Sequence, residues 1–197
     1  MKKIIFAFLS LSIIFSACVS QKEHEGSQKD QSPASDAFQS ETGGENADGL
    51  QTEASSGFPF AFFAADLYGN PVTEASLGEK EIYFVHYWAT WCPPCVAEMP
   101  DFPQIIEQYG GRVGFIALVE DYKSNLAGAV KIVESAGIPS SFIMVDESSP
   151  GLEPVLSMLR SGYVPTTVLL DNKGNNLEEI IGAYGAGYSV FLDKWLD

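Results

Sequence analysis

The chain has 197 residues, 26 acidic side chains against 11 basic ones, and a formal net charge of −15. That balance excludes the nucleic-acid binders, which need a basic footprint, and it argues against a protein body lying on anionic lipid. Solubility is the plainest use of such a charge.

Lys2 and Lys3 form a basic start, followed by an apolar run over residues 4–17. That run is shorter than the roughly 20 residues needed to span a bilayer and suits a secretory signal. It ends in Phe15-Ser16-Ala17-Cys18, which resembles a bacterial lipoprotein signal in which Cys18 becomes the lipidated mature N-terminus. Phe15 departs from the Leu usual at that place, and an ordinary signal with an incidental Cys is the alternative. Either reading exports the protein to a compartment where disulfides persist. The next stretch, to residue 57, holds eight acids, two lysines and the single aromatic Phe38. Too little apolar surface is available there to offset the entropy of ordering, so the segment is expected to be a disordered tether. As a flexible coil its span is roughly 35 Å.

Residues 58–197 are enough for one domain with its own core. The pattern predicts a strand at 60–64, a turn at 67–71 and a strand at 81–87. The last of these is apolar on both faces, as in the centre of a covered sheet. A helix follows from the cysteines, kinked near Met99 by Pro100 and Pro103 and ended by Gly110 and Gly111. Then come a strand at 113–119, a helix at 125–136 closed by Gly137, a short strand at 142–146 and a short helix at 152–160. Strands at 168–171 and 177–181 flank the hairpin turn Asn172-Lys173-Gly174-Asn175, and a helix at 189–196 completes the chain. This order implies an α/β fold, a mixed central sheet with helices on both faces.

The chemistry concentrates in Trp91-Cys92-Pro93-Pro94-Cys95. Two thiols one turn apart at a helix start can close as a disulfide and reopen by exchange. Helix N-terminal amides favour a thiolate on Cys92, and Cys95 is placed to resolve the mixed disulfide that Cys92 forms. Pro93 and Pro94 suit an early helical turn and stiffen the ring. A structural zinc site would need four Cys or His ligands, and only Cys18, His24 and His86 remain. A loop this short gives a purely structural disulfide little entropic value. The glycines at 182–187 lack the dinucleotide fingerprint, and no NAD, flavin or metal site is visible.

The stretch from Val85 to Cys95, with Glu98-Met99-Pro100 and the later Val164-Pro165-Thr166-Thr167, resembles the thioredoxin superfamily, and within it the exported TlpA/ResA-like branch. The resemblance implies a thioredoxin-like fold with an extra strand and helix between about 138 and 160, before a cis-proline loop at Val164-Pro165 that faces the cysteines and offers a backbone edge to a substrate peptide. It implies a membrane-tethered reductase of disulfides in exported proteins, apocytochrome c among them, recharged by a membrane electron donor. An oxidase or isomerase using the same site, and a non-catalytic peptide-binding module, are the alternatives. Trp91 is expected beside the sulfur, with a partly exposed packing role as the alternative. Glu98, three residues past Cys95, shares its helix face; the resemblance places an acid there near the active site, suited to proton exchange with Cys95. An exposed helix glutamate is the alternative. His86 stands where thioredoxin has a buried acid and where this branch often has Asn. It is read as a hydrogen-bonded core histidine or as a second proton relay.

Overall fold

The computed structural model describes residues 57–159 and 161–196. The signal segment, Cys18 and nearly all of the tether lie outside the described residues. Seven strands and five helices follow in chain order: β1 (Phe63–Ala65), β2 (Pro71–Thr73), β3 (Ile82–Trp88), α1 (Pro93–Glu98), α2 (Phe102–Tyr109), β4 (Val113–Val119), α3 (Tyr122–Ala136), β5 (Phe142–Asp146), α4 (Glu153–Leu156), β6 (Thr166–Asp171), β7 (Asn176–Ile181) and α5 (Tyr188–Leu196). Short 3-10 turns lie at Glu74–Leu77, Met99–Asp101 and Gly185–Gly187.

Five strands form one mixed sheet in the order β5-β4-β3-β6-β7. β3, β4 and β5 are parallel neighbours, joined by helical crossovers, while β6 and β7 run antiparallel. Because side chains alternate across a strand, β3 feeds two cores. Ile82, Phe84 and Trp88 pack with the buried residues of α1, α2, α3 and α5. Tyr83 and Val85 pack on the other face with Phe58, Phe62, Leu77, Leu152 and Val155. Phe84 anchors the first core, its ring against those of Phe102, Phe115, Phe142 and Tyr188. Gly114 on β4 lets the Tyr83 ring approach: a Cβ there would stand 2.6 Å from it.

The mixed sheet and the strand–helix insertion match the expected α/β, thioredoxin-like architecture. Several boundaries differ, each for a local reason. The first strand starts at Phe63 and pairs with β2 in a small hairpin; two three-residue strands are too short to show a period-2 pattern. The second face of the sheet is covered by this hairpin and α4 rather than by long helices. α4 is a single turn that ends at Leu156, although Leu159 beyond it is still buried. α3 begins three residues early, across a break at Asn125 (φ −145°, ψ 44°), and Gly137 caps it in the left-handed region (φ 69°), where glycine carries no Cβ penalty. The expected kink near Met99 is the 3-10 turn between α1 and α2.

Gly57, the first described residue, lies beside Glu79, Lys80, Glu81, Gly111 and Asn172. That is the end where β3 begins. The cysteines follow the other end of β3, roughly 20 Å away for a seven-residue strand.

Candidate active site

β3 ends at Trp88, and the chain turns into α1 through Ala89, Thr90 and Trp91. Asp121, just before α3, fixes this turn by accepting from the Thr90 amide at 3.0 Å and from the Thr90 hydroxyl. Asn125 donates to the same hydroxyl oxygen at 2.7 Å. Cys92 is the N-cap of α1, Pro93 and Pro94 occupy its first positions, and the Cys95 amide donates to Cys92 Sγ at 3.3 Å. Cys92 and Cys95 form a disulfide (S–S 2.07 Å). Cys92 is 2% exposed and Cys95 0%. The sequence leads one to expect an open outer thiol; in the disulfide state only an edge of Cys92 reaches the surface.

The loop before β6 meets this turn. The Val164–Pro165 bond is cis, and the Val164 carbonyl oxygen lies 3.6 Å from Cys92 Sγ. Exposed aromatic rings flank the contact on both loops, Trp91 and Tyr163. The Trp91 indole is held out by its N–H, which donates to Glu120 at 2.9 Å. A groove of about 470 Å³ opens between α1 and α3, with Thr90, Val96 and Met99 on one side and Gly128 and Ile132 on the other.

Two buried titratable groups lie on α1 and β3, the elements on either side of the turn that carries the disulfide. Glu98, at the end of α1, is 4% exposed. One oxygen, Oε2, accepts from the amides of Tyr184 (3.1 Å) and Gly185 (3.3 Å). Burial pushes its pKa up to about 7, with those amides pulling the other way. His86, on β3 opposite Thr167 of β6, is fully buried, and burial pulls its pKa down to about 3. Its Nδ1 lies 2.9 Å from Thr167 Oγ1, which lies 3.1 Å from the Tyr188 hydroxyl. Its Nε2 lies 3.4 Å from Glu98 Oε1. The exposed-glutamate alternative for Glu98 does not describe this arrangement. Among the described residues no three His, Cys, Asp or Glu side chains converge as a metal site requires.

Sequence reasoning named Cys92, Cys95, Trp91, Glu98, Val164, Pro165 and His86, which the fold brings to one end of the sheet. It missed Asp121 and Asn125, which hold the turn before Cys92, and the backbone amides of Tyr184 and Gly185. It also missed Tyr188, whose hydroxyl reaches Thr167 from the start of α5. Only Thr167 carried a signal, standing in the Pro-Thr-Thr stretch.

The central sheet, the disulfide at the start of α1 and the proline loop opposite define a thioredoxin-like domain. The Thioredoxin family model matches residues 67–151. A thiol:disulfide interchange protein of the thioredoxin family from Chlorobium tepidum TLS superposes with a TM-score of 0.58 at 26% identity, over 72% of this chain and 97% of that one. StoA from Bacillus subtilis shares the fold, with a TM-score of 0.53 at 21% identity, over 72% and 99% of the two chains. In sequence, the thiol-disulfide oxidoreductase ResA of Bacillus thuringiensis (strain Al Hakam) is 30% identical over 122 residues, 61% of this chain and 66% of the relative. The thiol:disulfide interchange protein DsbE of Pasteurella multocida (strain Pm70) is 32% identical over 91 residues, 46% and 45% of the two. The matched stretches thus span less than two thirds of those relatives. Residues 67–151 thus match the Thioredoxin family, and the chain is similar in sequence to proteins named as thiol–disulfide oxidoreductases of ResA and DsbE type.

Proposed function

We propose that the protein is an exported, lipid-tethered reductase of disulfides in other exported proteins, apocytochrome c among them. In this reading residues 1–17 are the signal, Cys18 carries the lipid, residues up to 57 are the tether, and residues 58–197 are the redox domain. The observation that carries the chemistry is the Cys92–Cys95 disulfide facing the Val164 carbonyl across 3.6 Å.

In the reduced protein, Cys92 is the nucleophile, its thiolate favoured by the Cys95 amide that points at its sulfur. It attacks a client disulfide, forms a mixed disulfide and releases the first client thiolate. Glu98 takes the Cys95 proton, and the Cys95 thiolate attacks the Cys92 sulfur, restoring the internal disulfide and releasing the second client thiolate. Two electrons pass to the client. A membrane dithiol donor returns them, since the exported space is oxidising. Trp91, Val164 and Pro165 supply the client contact: an aromatic face and an extended backbone edge. The raised proton affinity of Glu98 places its proton exchange near neutral pH, where a general acid–base works best.

Equilibration of the full-length protein against thiol redox buffers tests the direction of electron flow. A reductase is expected near or below about −270 mV, whereas a value near about −120 mV would make the protein an oxidase. Insulin reduction that survives Cys92→Ser with Cys95→Ser would remove the enzymatic reading.

A further inference from the structure

His86 of β3 and Glu98 of α1 meet in an arrangement that their separate roles do not explain. His86 Nε2 and Glu98 Oε1 stand 3.4 Å apart, both buried, and neither has another hydrogen-bond partner among the described residues. An unpaired polar atom at that depth is costly, so one proton belongs between them. The other ring nitrogen decides whose it is. Nδ1 contacts Thr167 Oγ1 at 2.9 Å, and that hydroxyl contacts Tyr188, whose own hydroxyl reaches the Gly182 carbonyl at 3.4 Å. A hydroxyl both donates and accepts, and a neutral imidazole does one at each nitrogen. The line therefore satisfies itself in two directions.

In the first, the Glu98 acid donates to Nε2, Nδ1–H donates to Thr167, Thr167 to Tyr188, and Tyr188 to the Gly182 carbonyl. In the second, Thr167 donates to Nδ1, Nε2–H donates to the Glu98 carboxylate, and the Tyr188 hydroxyl is free to donate to Thr167 or to that carboxylate. The two states differ by the single proton that Glu98 gains or loses. The walls around the ring, from Phe84, Phe102 and Phe142, disfavour an imidazolium, and the β4 neighbour is Ala117. The remaining titratable groups near the pair are Asp101 on the following turn, Tyr184, and Tyr188, whose hydroxyl also hydrogen-bonds the Glu98 carboxyl; Cys95, one turn back on α1, is held in the disulfide.

We propose that His86 is a positioning residue for Glu98, changing tautomer as the carboxyl takes up or gives up its proton, so that the pair is hydrogen-bonded in both states while the imidazole stays neutral. The catalytic consequence rests on the proton-exchange role proposed for Glu98; the tautomer change does not. Its advantage is that Glu98 gains a donor when charged and an acceptor when neutral, without moving.

The test is 15N NMR of the histidine side chains in the full-length protein, with His24→Gln leaving the His86 ring as the sole histidine signal without touching the core. Between pH 5 and 9 the expected result is a neutral ring whose proton moves from Nδ1 to Nε2, with the midpoint of the Glu98 carboxyl 13C titration. In Glu98→Gln the ring should keep one tautomer throughout. A doubly protonated ring across the midpoint, or an unchanged tautomer while Glu98 titrates, overturns the proposal, whatever the protein's redox role. In the exchange reaction, His86→Phe should move the pH midpoint up by about one unit, a tenfold change in proton affinity. An unmoved midpoint in a folded variant would show that the imidazole does not act on Glu98.

Discussion

Glu98→Gln should change how the stability of the oxidised protein depends on pH, in a direction opposite to that of most carboxylates. Burial moves Glu98 from an ordinary 4.5 to about 7, so the folded protein holds a proton that the unfolded chain releases. Stability from this group is fully present below pH 4.5 and is lost as pH rises through 7. At about 1.4 kcal/mol per pKa unit, the loss is about 3 kcal/mol. His86 works against it over part of the same range. It is neutral when folded, down to about 3, but protonated when unfolded below about 6.5, so its contribution grows with pH. The wild-type curve alone therefore conceals both effects, and the difference between variant and wild type isolates Glu98. Urea unfolding of the two full-length proteins, disulfide intact, at intervals from pH 4 to pH 8 provides the measurement. The Gln variant should gain about 3 kcal/mol relative to wild type across that range. Parallel curves would refute a neutral, buried Glu98 and with it the proton-exchange role.

Replacing Cys95 with Ser should stall the cycle after Cys92 attacks, so clients accumulate as reducible adducts; a cell with the donor pathway intact that yields none would argue against attack by reduced Cys92. In the reduced protein Cys92 should alkylate faster than Cys95 near neutral pH, read by mass spectrometry, and the reverse order would exchange their roles. Phe84→Ala removes a ring packed against four other aromatic side chains and the His86 imidazole and should cost about 3–5 kcal/mol in urea unfolding. Cys18→Ala behind a cleavable soluble signal should release the protein from membranes with its thiol chemistry intact, and continued wholesale membrane fractionation would contradict lipid anchoring.

The parts legible in the sequence were those with a repeating or punctuated pattern. β3 and β4 are apolar runs, the Asn172–Asn175 turn marks the β6–β7 hairpin, and Gly137 marks the end of α3. Cys92, Cys95 and Pro165 stood out because the spacing of the two thiols and the residues around the proline are distinctive. The first hairpin was half legible: a first strand and the turn at 67–71 were expected, but β2 was hidden because a three-residue strand carries no period. The site's supporting contacts were hidden for another reason: they join residues far apart in the chain. Asp121 reaches Thr90, and the amides of residues 184 and 185 reach Glu98, through backbone or through common polar side chains that carry no local signature. His86 was legible as an unusual residue on a buried strand, but the strand pattern says nothing of its second nitrogen. Only the register of β3 against β6, and the close of α1 over it, puts Thr167 on one side of the ring and Glu98 on the other.

Gly57, where the described residues begin, lies at the end of the domain opposite the cysteines. If the proposed lipid anchor holds the domain through that end, the disulfide can point outward to clients in the surrounding space. In that orientation the disulfide would face away from a donor embedded in the bilayer. Under the proposed anchoring, recharging would need the domain to turn over on a leash long enough to bring the disulfide back to the bilayer. Leash length, rather than affinity for the donor, would govern how quickly the spent protein is returned to service, and a shortened leash would leave client attack intact while starving it of electrons.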